Sequence, residues 1–125
     1  MDENEISKIV LDSAFKIYSV LGPGLLESTY EECLFYELTK NGLECKRQHG
    51  LPLEYETVKL DCGYRVDLLI ENKVIVEIKS VKALEKIHNA QLLTYLKLSG
   101  CKLGLLINFN ESYLKDGIKR IVNNL

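Results

Sequence analysis

Apolar residues recur at helical spacing through the N-terminal stretch, where Ile6, Ile9, Val10, Ile17, Val20 and Leu21 line one side of a helix that begins among polar residues. Gly22-Pro23-Gly24 then breaks the pattern, because proline has no amide to donate and glycine leaves the helical region freely. A second helix is predicted from about Leu26 to Lys40, with Tyr30, Leu34 and Leu38 as its stripe and Asn41-Gly42 as its stop. From Leu51 the period shortens to two. Residues 51–55 (LPLEY), 58–60 (VKL), 64–70 (YRVDLLI) and 74–79 (VIVEIK) read as strands, with turns at Glu56-Thr57 and Glu71-Asn72-Lys73, so an antiparallel meander is expected. A helix from about Leu84 to Leu98 and a buried strand over 103–109 (LGLLINF) follow. Leu114, Ile118, Ile121, Val122 and Leu125 fit one face of a closing helix, which makes the order ααβββαβα with no repeat or linker.

The hairpin over 64–79 has two unlike faces. Val66, Leu68, Ile70, Val74, Val76 and Ile78 form an apolar one, and Arg65, Asp67, Leu69, Ile75, Glu77 and Lys79 form the other, charged at the end away from the turn. With a loop at 71–73, Ile70 pairs with Val74, paired residue numbers sum to 144, and Asp67 falls opposite Glu77. Like charges facing each other destabilise a sheet unless a cation compensates. Arg65 and Lys79 are candidates for that cation, and so is a hard metal ion, since magnesium is commonly held by one or two carboxylates with water in the remaining positions. A solvated charged strand face is the plainer alternative.

Composition narrows the setting. At 125 residues and 46% hydrophobic, the chain suits one domain, residues 1–125. No apolar run has the length of a membrane span and the start is acidic, so no membrane association and a cytoplasmic location are expected. Cys33, Cys45, Cys62 and Cys101 form no C-x-x-C pair, which predicts ordinary reduced thiols, mostly buried. The net charge of -2 speaks against a strongly basic nucleic-acid binder. Its distribution is uneven: residues 1–40 carry three Lys and eight Asp or Glu, whereas residues 41–125 carry thirteen Lys or Arg against ten acids, a local +3.

Asp67, followed after nine residues by Glu77-Ile78-Lys79, resembles the D-x(n)-E-x-K signature of the PD-(D/E)XK superfamily of metal-dependent nucleases. Gly24-Leu25-Leu26-Glu27-Ser28-Thr29-Tyr30 is similar to the heptad that names the GxxExxY family within it. Gln91-Leu92-Leu93-Thr94-Tyr95 resembles that family's Q-x-x-x-Y helix, and Leu105-Leu106-Ile107-Asn108-Phe109 its late strand. The likeness runs from about Ile6 to Val122; it departs from the superfamily's name in having Val66, not proline, before the aspartate. The resemblance implies an α/β fold with a restriction-endonuclease-like α-β-β-β-α-β core: a mixed sheet, an antiparallel hairpin carrying the acidic site, and flanking helices.

It also implies roles. Asp67, Glu77, the carbonyl of Ile78 and Glu27 would hold magnesium, with manganese as a substitute. Lys79 would orient or help deprotonate the attacking water, and Gln91 would line the site. Each role has a plainer counterpart. For Lys79 this is a salt bridge to Glu77, and for Glu27 a helix N-terminal charge preference. Tyr30 would bond Glu27 or a phosphate, or pack in the core. Arg65 would clamp phosphate or serve the acidic pair, and Tyr95 shares a helix face with Gln91 and His88. His88 reads as a surface or partly packed histidine, since Lys79 already fills the water-activating role. Lys46, Arg47, His49, Lys82 and Lys86 are candidates for a backbone-binding rim.

The activity implied is a magnesium-dependent nuclease, a hydrolase of DNA or RNA; a 125-residue core leaves little surface for sequence reading, so specificity is expected from a homodimer, a partner protein or nucleic-acid structure. A nucleic-acid-binding or assembly module without catalysis, and hydrolysis of a small phosphorylated compound, are the alternatives.

Overall fold

The computed structural model describes all 125 residues. Helix α1 (Glu3–Leu21) starts at Asp2, whose carboxylate accepts the Glu5 amide at 2.8 Å while the Glu5 carboxylate accepts the Asp2 amide, a reciprocal cap that satisfies two orphan donors. Gly22, at φ 67°, ends the helix as the Gly-Pro-Gly signal predicted. Helix α2 (Glu27–Lys40) follows, then strands β1 (Cys45–Gly50), β2 (Leu53–Tyr55), β3 (Val58–Leu60), β4 (Arg65–Ile70) and β5 (Val74–Lys79). Helix α3 (Lys86–Ser99), strand β6 (Leu103–Asn108), a 3-10 turn (Leu114–Gly117) and strand β7 (Ile118–Val122) complete the chain.

The main sheet runs β1-β4-β5-β6-β7, and only β5 and β6 are parallel. A parallel pair needs a long crossover, which α3 supplies. Ile6, Val10, Ile17, Leu34 and Leu38 from α1 and α2 bury one face against Leu68, Ile70, Val74, Val76, Leu105 and Ile107. Leu92, Tyr95 and Leu96 of α3 cover the other, against Leu69, Ile75 and Leu106. Gly104 permits this close approach: a Cβ there would stand 2.9 Å from Leu92. The fold is the restriction-endonuclease-like α/β arrangement, and its α-β-β-β-α-β core is α2-β1-β4-β5-α3-β6.

Four expectations are corrected. The meander is absent, because 53–55 and 58–60 pair only with each other in a separate two-stranded sheet, and the first core strand is the unforeseen β1. Its sequence, CKRQHG, carries no apolar alternation, as befits an edge strand. The closing helix is instead the 3-10 turn followed by β7, since pairing with the otherwise open edge of β6 satisfies backbone groups that a surface helix would leave unpaired. Val66 packs with Leu69 and Ile75, not with Leu68 and Ile70. The alternation is interrupted there: the β1–β4 ladder skips Gln48 and Asp67, and Gln48 sits in left-handed backbone at φ 47°. Finally, all four cysteines are free, but only Cys101 is buried, with Cys33 and Cys45 half-buried and Cys62 exposed. Burial pushes the Cys45 thiol up to about 11, which keeps it protonated and unreactive.

Candidate active site

Strands β4 and β5 keep the predicted register as far as Leu68↔Val76, and the next residues along are Asp67 and Glu77. There carboxylates replace the ladder. Glu77 Oε2 accepts the Asp67 amide at 2.9 Å, and Asp67 Oδ2 accepts the Ile78 amide at 2.8 Å. Each acid is thereby fixed by the backbone beside the other. Glu77 is only 5% exposed, and Asp67 is half-buried. Burial, and secondarily the charge of Asp67, push the Glu77 carboxyl up to about 8, against the lesser opposing effects of the Asp67 amide and the Lys79 ammonium. A buried carboxyl beside another lacks a compensating cation.

Lys79 does not provide one: none of the ion pairs within 4.0 Å includes it, so the expected salt bridge to Glu77 is absent. Lys79 is half-buried at the end of β5 and has no carboxylate partner within 4.0 Å. Glu27, at the start of α2, accepts the Ser80 amide at 3.0 Å, and Ser80 Oγ donates to the Leu25 carbonyl at 2.6 Å. The exit of β5 is thus pinned to the loop before α2. No three His, Cys, Asp or Glu side chains converge as a metal cage, so Glu27 does not close a triad with Asp67 and Glu77. Two carboxylates and a strand carbonyl nevertheless suit magnesium, which keeps several waters of its own.

Tyr30 takes the packing role. Fully buried, it stacks on Phe109 with ring centroids 4.2 Å apart, and its hydroxyl donates to Gly22 O at 2.6 Å and accepts the Leu25 amide. That leaves the phenol tied into the Gly-Pro-Gly loop, with its hydrogen bonds made within the fold. Arg65 donates to the Gln48 carbonyl at 3.3 Å and serves neither acid. On α3, Gln91 is exposed and Tyr95 is 7% exposed. Burial first, then the charge of Glu77, raise the Tyr95 phenol, which marks it as a neighbour of the acidic pair. His88 caps its own helix, its Nδ1 accepting the Glu85 amide at 2.9 Å. Of the expected rim, Lys46 binds Asn72 and Glu44, and Arg47 binds Glu31 and Glu32; Lys82 and Lys86 are exposed and unpaired.

Three residues at the site escaped the sequence. Gln48 Nε2 donates to Asp67 Oδ1 at 3.2 Å and to Glu31 Oε1 at 2.6 Å. Glu31, 7% exposed, lies one helical turn after Glu27, and that spacing was its only signal. Asn108, fully buried and in register with Lys79, clamps Val81 by accepting its amide and donating to its carbonyl, both at 3.0 Å. An asparagine in the apolar run LLINF was the sign of it.

An acid pair at the end of a hairpin, followed two residues on by a lysine without an ion-pair partner, is an arrangement suited to a cation. A family model described as the PD-(D/E)XK nuclease superfamily matches residues 4–121, nearly the whole chain. The chain belongs to this superfamily. Neither a curated protein nor a solved structure matches it. Membership in the PD-(D/E)XK superfamily makes the domain a nuclease-type domain, and it accounts for the motif spacing and the core together. No helix of this PD-(D/E)XK domain is long and apolar enough to cross a membrane.

Proposed function

We propose that the chain is a magnesium-dependent nuclease of the GxxExxY type that hydrolyses phosphodiester bonds of DNA or RNA. One observation carries the reading: a buried Glu77 carboxyl, pushed up to about 8 by burial and by Asp67, stands beside Asp67, and neither acid has an ion-pair partner within 4.0 Å, although an unpaired lysine lies two residues away. An acid pair kept open is suited to a divalent cation, and manganese would substitute for magnesium.

Asp67, Glu77 and the Ile78 carbonyl would hold the metal, with Glu27 reaching it through water. When bound, the metal supplies a water of lowered pKa and offsets charge on the phosphodiester oxygens. Asp67 and Glu77 keep their oxygens directed by the amides they accept, so little reorientation is needed. Lys79 orients the attacking water and stabilises hydroxide by its charge. Gln91, exposed on α3, would meet the nucleic acid, with Tyr95 packed beneath the site beside the acidic pair and Arg65 at the rim.

Titration calorimetry of magnesium and manganese into the protein and its Asp67→Asn variant, followed by incubation with plasmid, single-stranded DNA and RNA, tests this. Wild type should bind metal and cut, and the variant should do neither. Absence of metal uptake by wild type, even with nucleic acid present, would transfer the chain to the non-catalytic binding-module class, which its net charge of -2 leaves open.

A further inference from the structure

Gln48 is placed with unusual constraint for a surface-strand residue. Its backbone is left-handed at φ 47°, a conformation costly for a side chain with a Cβ, and it stands where the β1–β4 ladder leaves out its own pairing with Asp67. What the ladder loses, the side chain restores. Nε2 has two protons, and each has a carboxylate: Glu31 Oε1 at 2.6 Å and Asp67 Oδ1 at 3.2 Å. The amide cannot be turned over, since its oxygen would then face two carboxylates. Glu31 is itself held from the other side by Arg47, whose Nη2 and Nε donate to Oε2 at 3.0 and 3.3 Å. Arg47 is backed by Glu32 at 2.8 Å and by the Phe35 ring. A chain of contacts thus runs from α2 through β1 to Asp67.

We propose that Gln48 is a positioning residue for Asp67: its side-chain amide, anchored on Glu31, fixes the Asp67 carboxylate for cation binding without adding charge. This rests on the reading of Asp67 as a metal-holding acid. With Oδ2 accepting from the Ile78 amide and Oδ1 from Gln48, Asp67 is confined to one orientation. A neutral donor suits the place. Lysine or arginine would put positive charge where the metal's belongs, and a carboxylate would repel both acids. Arg47 meanwhile spends its charge on Glu31 and Glu32 and leaves Asp67 to the metal.

Gln48→Gly is the informative variant because glycine accepts left-handed backbone, so the amide is removed while the chain path is kept. Manganese titration by calorimetry, steady-state cleavage of plasmid and thermal melting would be run on wild type and Gln48→Gly. The expected result is manganese affinity lower by about 10- to 100-fold, the size of effect usual for groups that orient metal ligands. The kcat at a fixed manganese level should fall, KM for DNA should stay unchanged, and the melting temperature should move by no more than about 4 °C. Gln48→Lys, which keeps a donor but adds charge, should bind manganese no better than Gln48→Gly.

Manganese affinity of Gln48→Gly within about twofold of wild type would overturn the role while leaving the nuclease reading intact. A wild type that takes up no manganese would overturn both. Should Gln48→Gly fail to fold, Glu31→Ala decides: removal of the acceptor that anchors the Gln48 amide should weaken manganese binding in the same direction, and unchanged binding would overturn the proposal.

Discussion

Glu77 exchanges water for the end of a hairpin, and its carboxyl moves from 4.5 to about 8. Because the folded value is raised, protonation favours the fold: that contribution is complete below pH 4.5 and is lost as pH rises through about 8. Metal-free protein should therefore unfold at lower urea concentration at pH ~8.5 than at pH ~5, by up to a few kcal/mol at about 1.4 kcal/mol per pKa unit. Glu77→Gln should flatten that dependence, and magnesium should restore stability at the upper pH. A slope unchanged in Glu77→Gln would assign it to other groups. Lys79 permits a cleaner separation of binding from chemistry. Lys79→Met should cut kcat by about 10²- to 10⁴-fold while leaving magnesium affinity nearly unchanged, as stopped-flow cleavage and calorimetry would show together. Asp67 and Glu77 were legible in the sequence because a period of two and a short turn fix their register. Gln48 was not, since its place depends on a left-handed residue that breaks that period, and no local pattern announces such a break.

At the scale of elements, whatever had a long periodic run was readable, and whatever was short was decided by its neighbours. Helix α1 carries a cap and a stripe of its own, and α2 a stripe. Strands β1 and β7 have neither; CKRQHG and IKRIV become strands because β4 and β6 offer open edges to them. The 114–125 segment satisfies a helical spacing equally well, and a stretch as short as IKRIV, with two charged residues inside it, does not separate the two readings. Gly117 helps decide. A Cβ there would collide with the Asn108 carbonyl and approach Glu111 Cγ to 2.9 Å, so the turn into β7 closes tightly over the end of β6. Gly117→Ala should accordingly destabilise the fold by about 1–3 kcal/mol in urea unfolding. Because Asn108 also clamps Val81, two residues beyond Lys79, the same variant should lower cleavage more than its stability loss accounts for at temperatures well below melting. Activity equal to wild type there would mean that the exit of β5 tolerates displacement.

For the whole molecule, the opposing quantities are a net charge of -2 and a polyanionic substrate. The local +3 of residues 41–125 overstates what is available, since Lys46 and Arg47 are engaged by Asn72, Glu44, Glu31 and Glu32. Near the site this leaves Arg65, Lys79, Lys82 and Lys86 without an ion-pair partner. Each phosphate neutralised contributes a slope of about -0.9 to log K against log salt, so a duplex bound by one copy should show about -3 to -4. Fluorescence anisotropy of a labelled duplex with the Asp67→Asn variant, chosen so that cleavage does not compete with binding, would measure the slope. Lys82→Ala and Lys86→Ala should each flatten it by about 1. A slope steeper than about -6 would exceed what these four side chains supply and would require basic surface from a second copy or a partner protein. The slope thus tests, in one titration, both the location of the substrate path and whether a single copy of the chain furnishes all of it.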